Sequence, residues 1–149
     1  MEFLVIGGQA EAAFGSPRAT YDVDLCHRRT ADNLERLARA LRELNPSLRG
    51  APANLPFVID ARSLALGGNF ALKTEISDLD LIAYVEPVGT YEDLLPRAET
   101  HPVGDLQLRF ISLNDLINVK EYLGRPKDRD SLMQLLAIRR LREQGGGGA

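Results

Sequence analysis

The stretch GGQAEAAFGSPRATYDVDL, residues 7–25, decides how the chain is read. Just before it, Phe3-Leu-Val-Ile6 is a short apolar run closed by glycine, the mark of a buried strand. Residues 9–14 are alanine-rich and suit a short helix, which Gly15 ends and Pro17 keeps from continuing. Residues 21–26 then alternate Tyr, Asp, Val, Asp, Leu, Cys, a period of two that predicts a strand with one polar face. Asp22 and Asp24 share that face, about 6.5 Å apart along the strand. Like charges this close raise each other's pKa unless a cation offsets them. Mg²⁺, a hard ion that prefers carboxylate oxygens and keeps waters for a phosphate, is the natural one. A solvated strand face has the same spacing, so the remaining sequence has to choose between the two.

Three features bear on that choice. Gly7-Gly8 lies between a strand and a helix, where backbone N–H groups are free and glycine admits a phosphate; an ordinary tight turn looks the same. Asp78-Leu-Asp80 enters a second apolar strand, residues 79–85, so that Asp80 can complete a three-carboxylate set, while Asp78 equally suits a turn. Near the C-terminus two helical patterns meet. Lys120 falls on the stripe of Leu113, Leu116 and Ile117, and Asp128 on that of Leu132, Leu135 and Leu136. A lysine on an inward face is costly without an anion, so the pair is either a structural ion pair or part of a site. Arg125 and Lys127 add positive charge at the joint.

The other elements follow from periodicity and caps. Thr30 is an N-cap for a helix carrying Leu34, Leu37, Ala38, Leu41 and Leu44, stopped by Asn45-Pro46. Residues 47–69 read as irregular, with residues 57–59 a candidate strand. Residues 70–76 and 106–111 read as strands and residues 91–98 as a short helix. Ser112 caps a helix that ends at Gly124, and Pro126 starts a last helix reaching about Glu143. The expected architecture is α/β (α+β): a mixed sheet flanked by helices, with two C-terminal helices. One domain over residues 1–144 and a flexible glycine-rich tail over residues 145–149 are expected.

At 149 residues, 44% hydrophobic and 26% charged, the chain is long and apolar enough for a real core. A net charge of −3 argues against a globally basic nucleic-acid binder. Arg36, Arg39 and Arg42 form a basic helix face, readable either as solvated surface or as a phosphate contact. Cys26 is the single cysteine, which excludes an internal disulfide and a cysteine-rich zinc site. No apolar run has the roughly 20 residues of a membrane helix, and no signal peptide is evident, so a cytoplasmic protein is expected.

Taken together, Gly7-Gly8, a spacer and Asp22-Val-Asp24 resemble the signature of the polymerase-beta-like nucleotidyltransferases. GSPRATYDVDL, SDLDLIAYV and SLNDLINVKEYLGRPKDRDSL are similar to segments of its small bacterial members, including toxins of abortive-infection toxin–antitoxin pairs. The resemblance implies Mg²⁺- or Mn²⁺-dependent transfer of a nucleoside monophosphate from an NTP to an acceptor hydroxyl, such as that of a tRNA. It implies metal binding by Asp22 and Asp24, activation of the acceptor by Asp80 and a triphosphate seat at Gly7-Gly8. It also implies nucleotide support from Lys120 and Asp128, and Arg18 near the phosphates. An antitoxin or a second copy are the expected protein partners. A non-catalytic relative that binds nucleotide, as an antitoxin partner or NTP sensor, is the alternative.

Overall fold

The computed structural model describes residues 1–16, 21–52, 55 and 57–146. A seven-stranded mixed sheet runs β3-β4-β5-β2-β1-β9-β8. Its strands are β1 (Phe3–Ile6), β2 (Val23–His27), β3 (Ser47–Leu48), β4 (Phe70–Lys73), β5 (Asp78–Ile82), β8 (Glu99–Val103) and β9 (Leu106–Phe110). β6 (Tyr84–Val85) and β7 (Gly89–Thr90) form a separate two-stranded ribbon. The helices are α1 (Gly7–Ala13), α2 (Ala31–Arg42), α3 (Ala61–Leu66), α4 (Tyr91–Leu94), α5 (Leu113–Leu123) and α6 (Arg129–Gly146). The expected α/β class, mixed sheet and two C-terminal helices are all present.

Period-two alternation divides the central strands into two faces. Leu79 and Leu81 of β5 point into a core with Leu34, Leu37, Ala38 and Leu41 of α2 and Leu64 of α3. Asp78 and Asp80 alternate with these leucines and so take the opposite face. Across β2, Asp24 pairs with Asp80 in parallel register, and Ile6 of β1 pairs with Asp24. A second core gathers Leu4, Ile6 and Cys26 with Ala10 of α1, Leu116 and Ile117 of α5 and Leu135 of α6. α2 therefore covers the face away from the carboxylates. Its arginines do not flank Asp24: Arg36 and Arg39 face outward, and Arg42 donates to the Ile59 carbonyl at 3.2 Å.

Several expectations are corrected. Residues 57–59 join no strand; Ile59 is buried beside α2 and α3 without ladder partners. The same region hides α3, capped by Asp60 and Ser63 in a reciprocal box. β4 ends at Lys73 because Thr74 N–H donates to the Ser77 carbonyl at 2.9 Å and closes a turn. β8, an edge strand with sequence ETHPV, lacks an apolar alternation and tolerates Pro102 only because it is an edge. α6 extends through Gly146, so Gly145 and Gly146, expected in the flexible tail, are helical; residues 147–149 lie outside the described residues.

His27 gives the fold a pH dependence. It is 1% exposed, and the Arg29 guanidinium donates to its Nε2 at 3.1 Å. Burial first, and then the neighbouring Arg29 charge, lower its pKa from 6.5 to about 4, the Ile82 backbone opposing them. The unfolded chain therefore takes up this proton first. Stability is expected to be intact above pH 6.5 and to fall as pH drops toward 4, by up to about 3 kcal/mol. Urea unfolding at stepped pH checks this: His27→Gln should flatten the slope between pH 6.5 and 5, and an unchanged slope would assign it elsewhere.

Candidate active site

Gly7, Gly8, Asp22, Asp24, Asp80, Lys120 and Asp128 all line one open cleft of about 490 Å³. Arg18 lies outside the described residues. Strand register explains the carboxylate side. Asp24 and Asp80 are direct neighbours across the parallel β2–β5 pair, and Asp22 enters from the segment just before β2. The Asp24 and Asp80 side chains leave the same face of the sheet at neighbouring register positions, close enough for each to feel the other's charge. Burial first, then the charge and hydrogen bond of Asp80 and the charge of Asp22, push the Asp24 carboxyl up to about 6, with Arg49 pulling it partly back. A cation bound beside two such carboxylates would offset their repulsion.

Gly7 is fixed by the same arrangement. Its φ of +65° is left-handed, and a Cβ there would run into the Asp24 carboxylate. The chain thus leaves β1 and starts α1 pressed against Asp24. Since α1 has only seven residues, its dipole offers little; an anion over Gly7-Gly8 would depend on backbone N–H groups and on nearby cations.

Those cations come from α5 and the segment that follows it. Lys120 is 6% exposed, with Nζ 2.9 Å from Asp128 Oδ1 and 3.2 Å from Glu11 Oε1. Gly124, at φ +58°, ends α5 in a left-handed cap that turns the chain back, and Arg125 Nε then also bonds Asp128. Burial alone would raise the Asp128 pKa, but the hydrogen bonds from Lys120 and Arg125 outweigh it and hold the carboxyl below its usual range. Lys120 and Asp128 are therefore both an ion pair and part of the cleft wall. Arg125 and Lys127 line the cleft beside them.

Glu11 went unnoticed in the sequence, though it lines the cleft and is fully buried. Among alanines it reads as a solvated helix position; its place four residues after Gly7 was the available signal. Tyr84, Val85, Val119 and Leu123 give the cleft an apolar side.

Among the described residues, no three His, Cys, Asp or Glu side chains converge on a single cation position. The expected three-carboxylate cage is thus not preformed. Mg²⁺ usually takes only one or two protein carboxylates and completes its shell with water and phosphate, and the Asp22, Asp24 and Asp80 set fits that habit.

Two substitutions probe the packing of the site. Gly7→Ala should cost about 1–3 kcal/mol in chemical denaturation, from backbone strain and the Asp24 contact; a neutral result would contradict the tight turn. Lys120→Met withdraws the cation shared by two buried carboxylates and should cost about 3 kcal/mol at pH 7. A stabilising outcome would show that apolar packing suffices there.

Comparison with protein-family models gave no match, and comparison with curated proteins gave no relative. No helix among the described residues is long and apolar enough to cross a membrane.

Proposed function

We propose that the chain is a divalent-metal-dependent nucleotidyltransferase, moving a nucleoside monophosphate from an NTP to an acceptor hydroxyl. One observation carries the reading: an acidic set, Asp22, Asp24 and Asp80, and a cationic set, Lys120, Arg125 and Lys127, line one cleft together with Gly7-Gly8. A metal-bound triphosphate has matching ends, metal toward the carboxylates and phosphate oxygens toward the cations. Bound there, Mg²⁺ would neutralise phosphate charge and clamp the reacting oxygens.

Each residue then has a chemical task. Asp22 and Asp24 would hold the cation. Asp80 takes the proton of the acceptor hydroxyl, whose oxygen bonds to the α-phosphorus as the bond to the β-phosphate oxygen breaks. Lys120, kept in place by Asp128 and Glu11, stabilises the leaving pyrophosphate together with Lys127. The apolar side at Tyr84 and Leu123 suits a nucleobase. For an RNA acceptor, the cations at the cleft are better placed than those of α2, which lie on the reverse face of the sheet.

The test is incubation with each α-labelled NTP, Mg²⁺ and total tRNA, beside small hydroxyl acceptors and the protein itself. Label should move in the unaltered chain and fall by at least about 100-fold in Asp24→Asn, as expected when a cation ligand of a phosphoryl-transfer site is lost. Nucleotide binding with no transfer to any acceptor would favour the non-catalytic binding protein. No nucleotide binding at all would end both readings.

A further inference from the structure

Arg49 belongs to no part of the site described above, yet it is tied to Asp80. Its backbone N–H extends the β3–β4 ladder by donating to the Ala71 carbonyl at 2.9 Å. Ala71 is the direct register partner of Asp80 on β4 and β5. Arg49 is therefore anchored level with Asp80, two strands away with β4 between them. The residue between them on that face is alanine, whose small side chain leaves the path open. The guanidinium crosses β4 along it. Nη2 donates to Asp80 Oδ1 at 2.7 Å and to the Leu72 carbonyl at 3.1 Å, and Nε lies 3.5 Å from Asp78 Oδ2.

We propose that Arg49 is a positioning residue for the carboxylate cluster: a fixed strut that holds Asp80 from outside the cleft and leaves Oδ2 for Asp24 and a cation. The inference rests on the reading of Asp80 as the third carboxylate of the site. Three acceptors on two strands grip the guanidinium, so its planar fork is used as a bracket rather than as a loose counter-charge. Asp80 lines the cleft while Arg49 stands behind it. As a surface ion pair, with Arg49 and Asp80 side chains 36% and 33% exposed, the contact would add little to stability. Its geometry matters more than its energy: one oxygen of Asp80 is committed, and the orientation of the other is thereby set. The same bracket reaches Asp78, so both aspartates of the Asp78-Leu-Asp80 motif are accounted for.

Charge and position make opposite demands, which allows a decisive test. Removing a positive charge beside several carboxylates should, on charge alone, tighten cation binding. Removing a strut should weaken it, by about ten-fold if Arg49 acts as outer partners of metal ligands do. Mn²⁺ binding to the nucleotide-free chain is titrated by electron paramagnetic resonance in the unaltered protein, Arg49→Gln, Arg49→Lys and Asp24→Asn, with thermal midpoints recorded alongside. Arg49→Gln is expected to bind Mn²⁺ about ten-fold more weakly with little change in midpoint. Arg49→Lys should regain only part of the loss, because an ammonium lacks the fork. If Arg49→Gln does not fold, weaker binding by a folded Arg49→Lys carries the same meaning. Binding as tight as, or tighter than, that of the unaltered chain in a folded variant overturns the proposal. Lack of any Asp24-dependent Mn²⁺ binding in the unaltered chain overturns the functional reading too, and is thereby distinguished from failure of Arg49 alone.

Discussion

Asp24 and Asp80 are held side by side by parallel pairing of β2 with β5, and the hydrogen-bond register leaves them no freedom to separate. Burial first, and then the like charge of Asp80, raise the Asp24 pKa, so that an ionised Asp24 here opposes folding. The surroundings respond to it. Arg49 reaches over from β3, Gly7 yields the space that the Asp24 carboxylate fills, and the cleft opens so that water or a cation can approach. A sheet chosen for stability alone would put apolar residues at these two positions, as it does at Leu79 and Leu81 on the reverse face.

The second half of the site follows a different logic. Lys120, Glu11 and Asp128 are buried charges, each costly alone and tolerable only as a network. α1, α5 and the turn before α6 each contribute one member, so the network also fixes how the helices meet over the sheet. All three members line the cleft. This charged network and the carboxylates Asp22, Asp24 and Asp80 line the same cleft, together with Gly7 and Gly8 of the β1–α1 turn.

Much of this was legible in the sequence because it depends on local spacing. Two aspartates separated by one residue must share a strand face, and lysine on a leucine stripe must be compensated. The same kind of reasoning reached β1, α1, β2, α2, β4, β9, α5 and α6, but it read residues 79–85 as one strand where β5 stops at Ile82 and Tyr84–Val85 pairs in the separate ribbon. What the sequence hid depends on register and long-range contact. Nothing local says that β2 and β5 pair with Asp24 opposite Asp80, or that Arg49 is anchored on the far side of β4. Glu11 looks like a surface residue until α5 is packed on α1. β8 lacked a periodic signal because an edge strand need not bury a face, and α3 was lost in a segment whose cap, Asp60 with Ser63, is its clearest mark.

The central claim is that the acidic set and the cationic set receive the two ends of one metal–triphosphate. The most direct measurement is a crystal grown with Mn²⁺ and non-hydrolysable NTP analogues, with anomalous diffraction used to locate the metal. The account predicts a manganese peak about 2.1 Å from oxygens of Asp22 and Asp24, with phosphates running from it over Gly7-Gly8 toward Lys120. A triphosphate bound elsewhere, or bound in the cleft with its metal away from these aspartates, would contradict it.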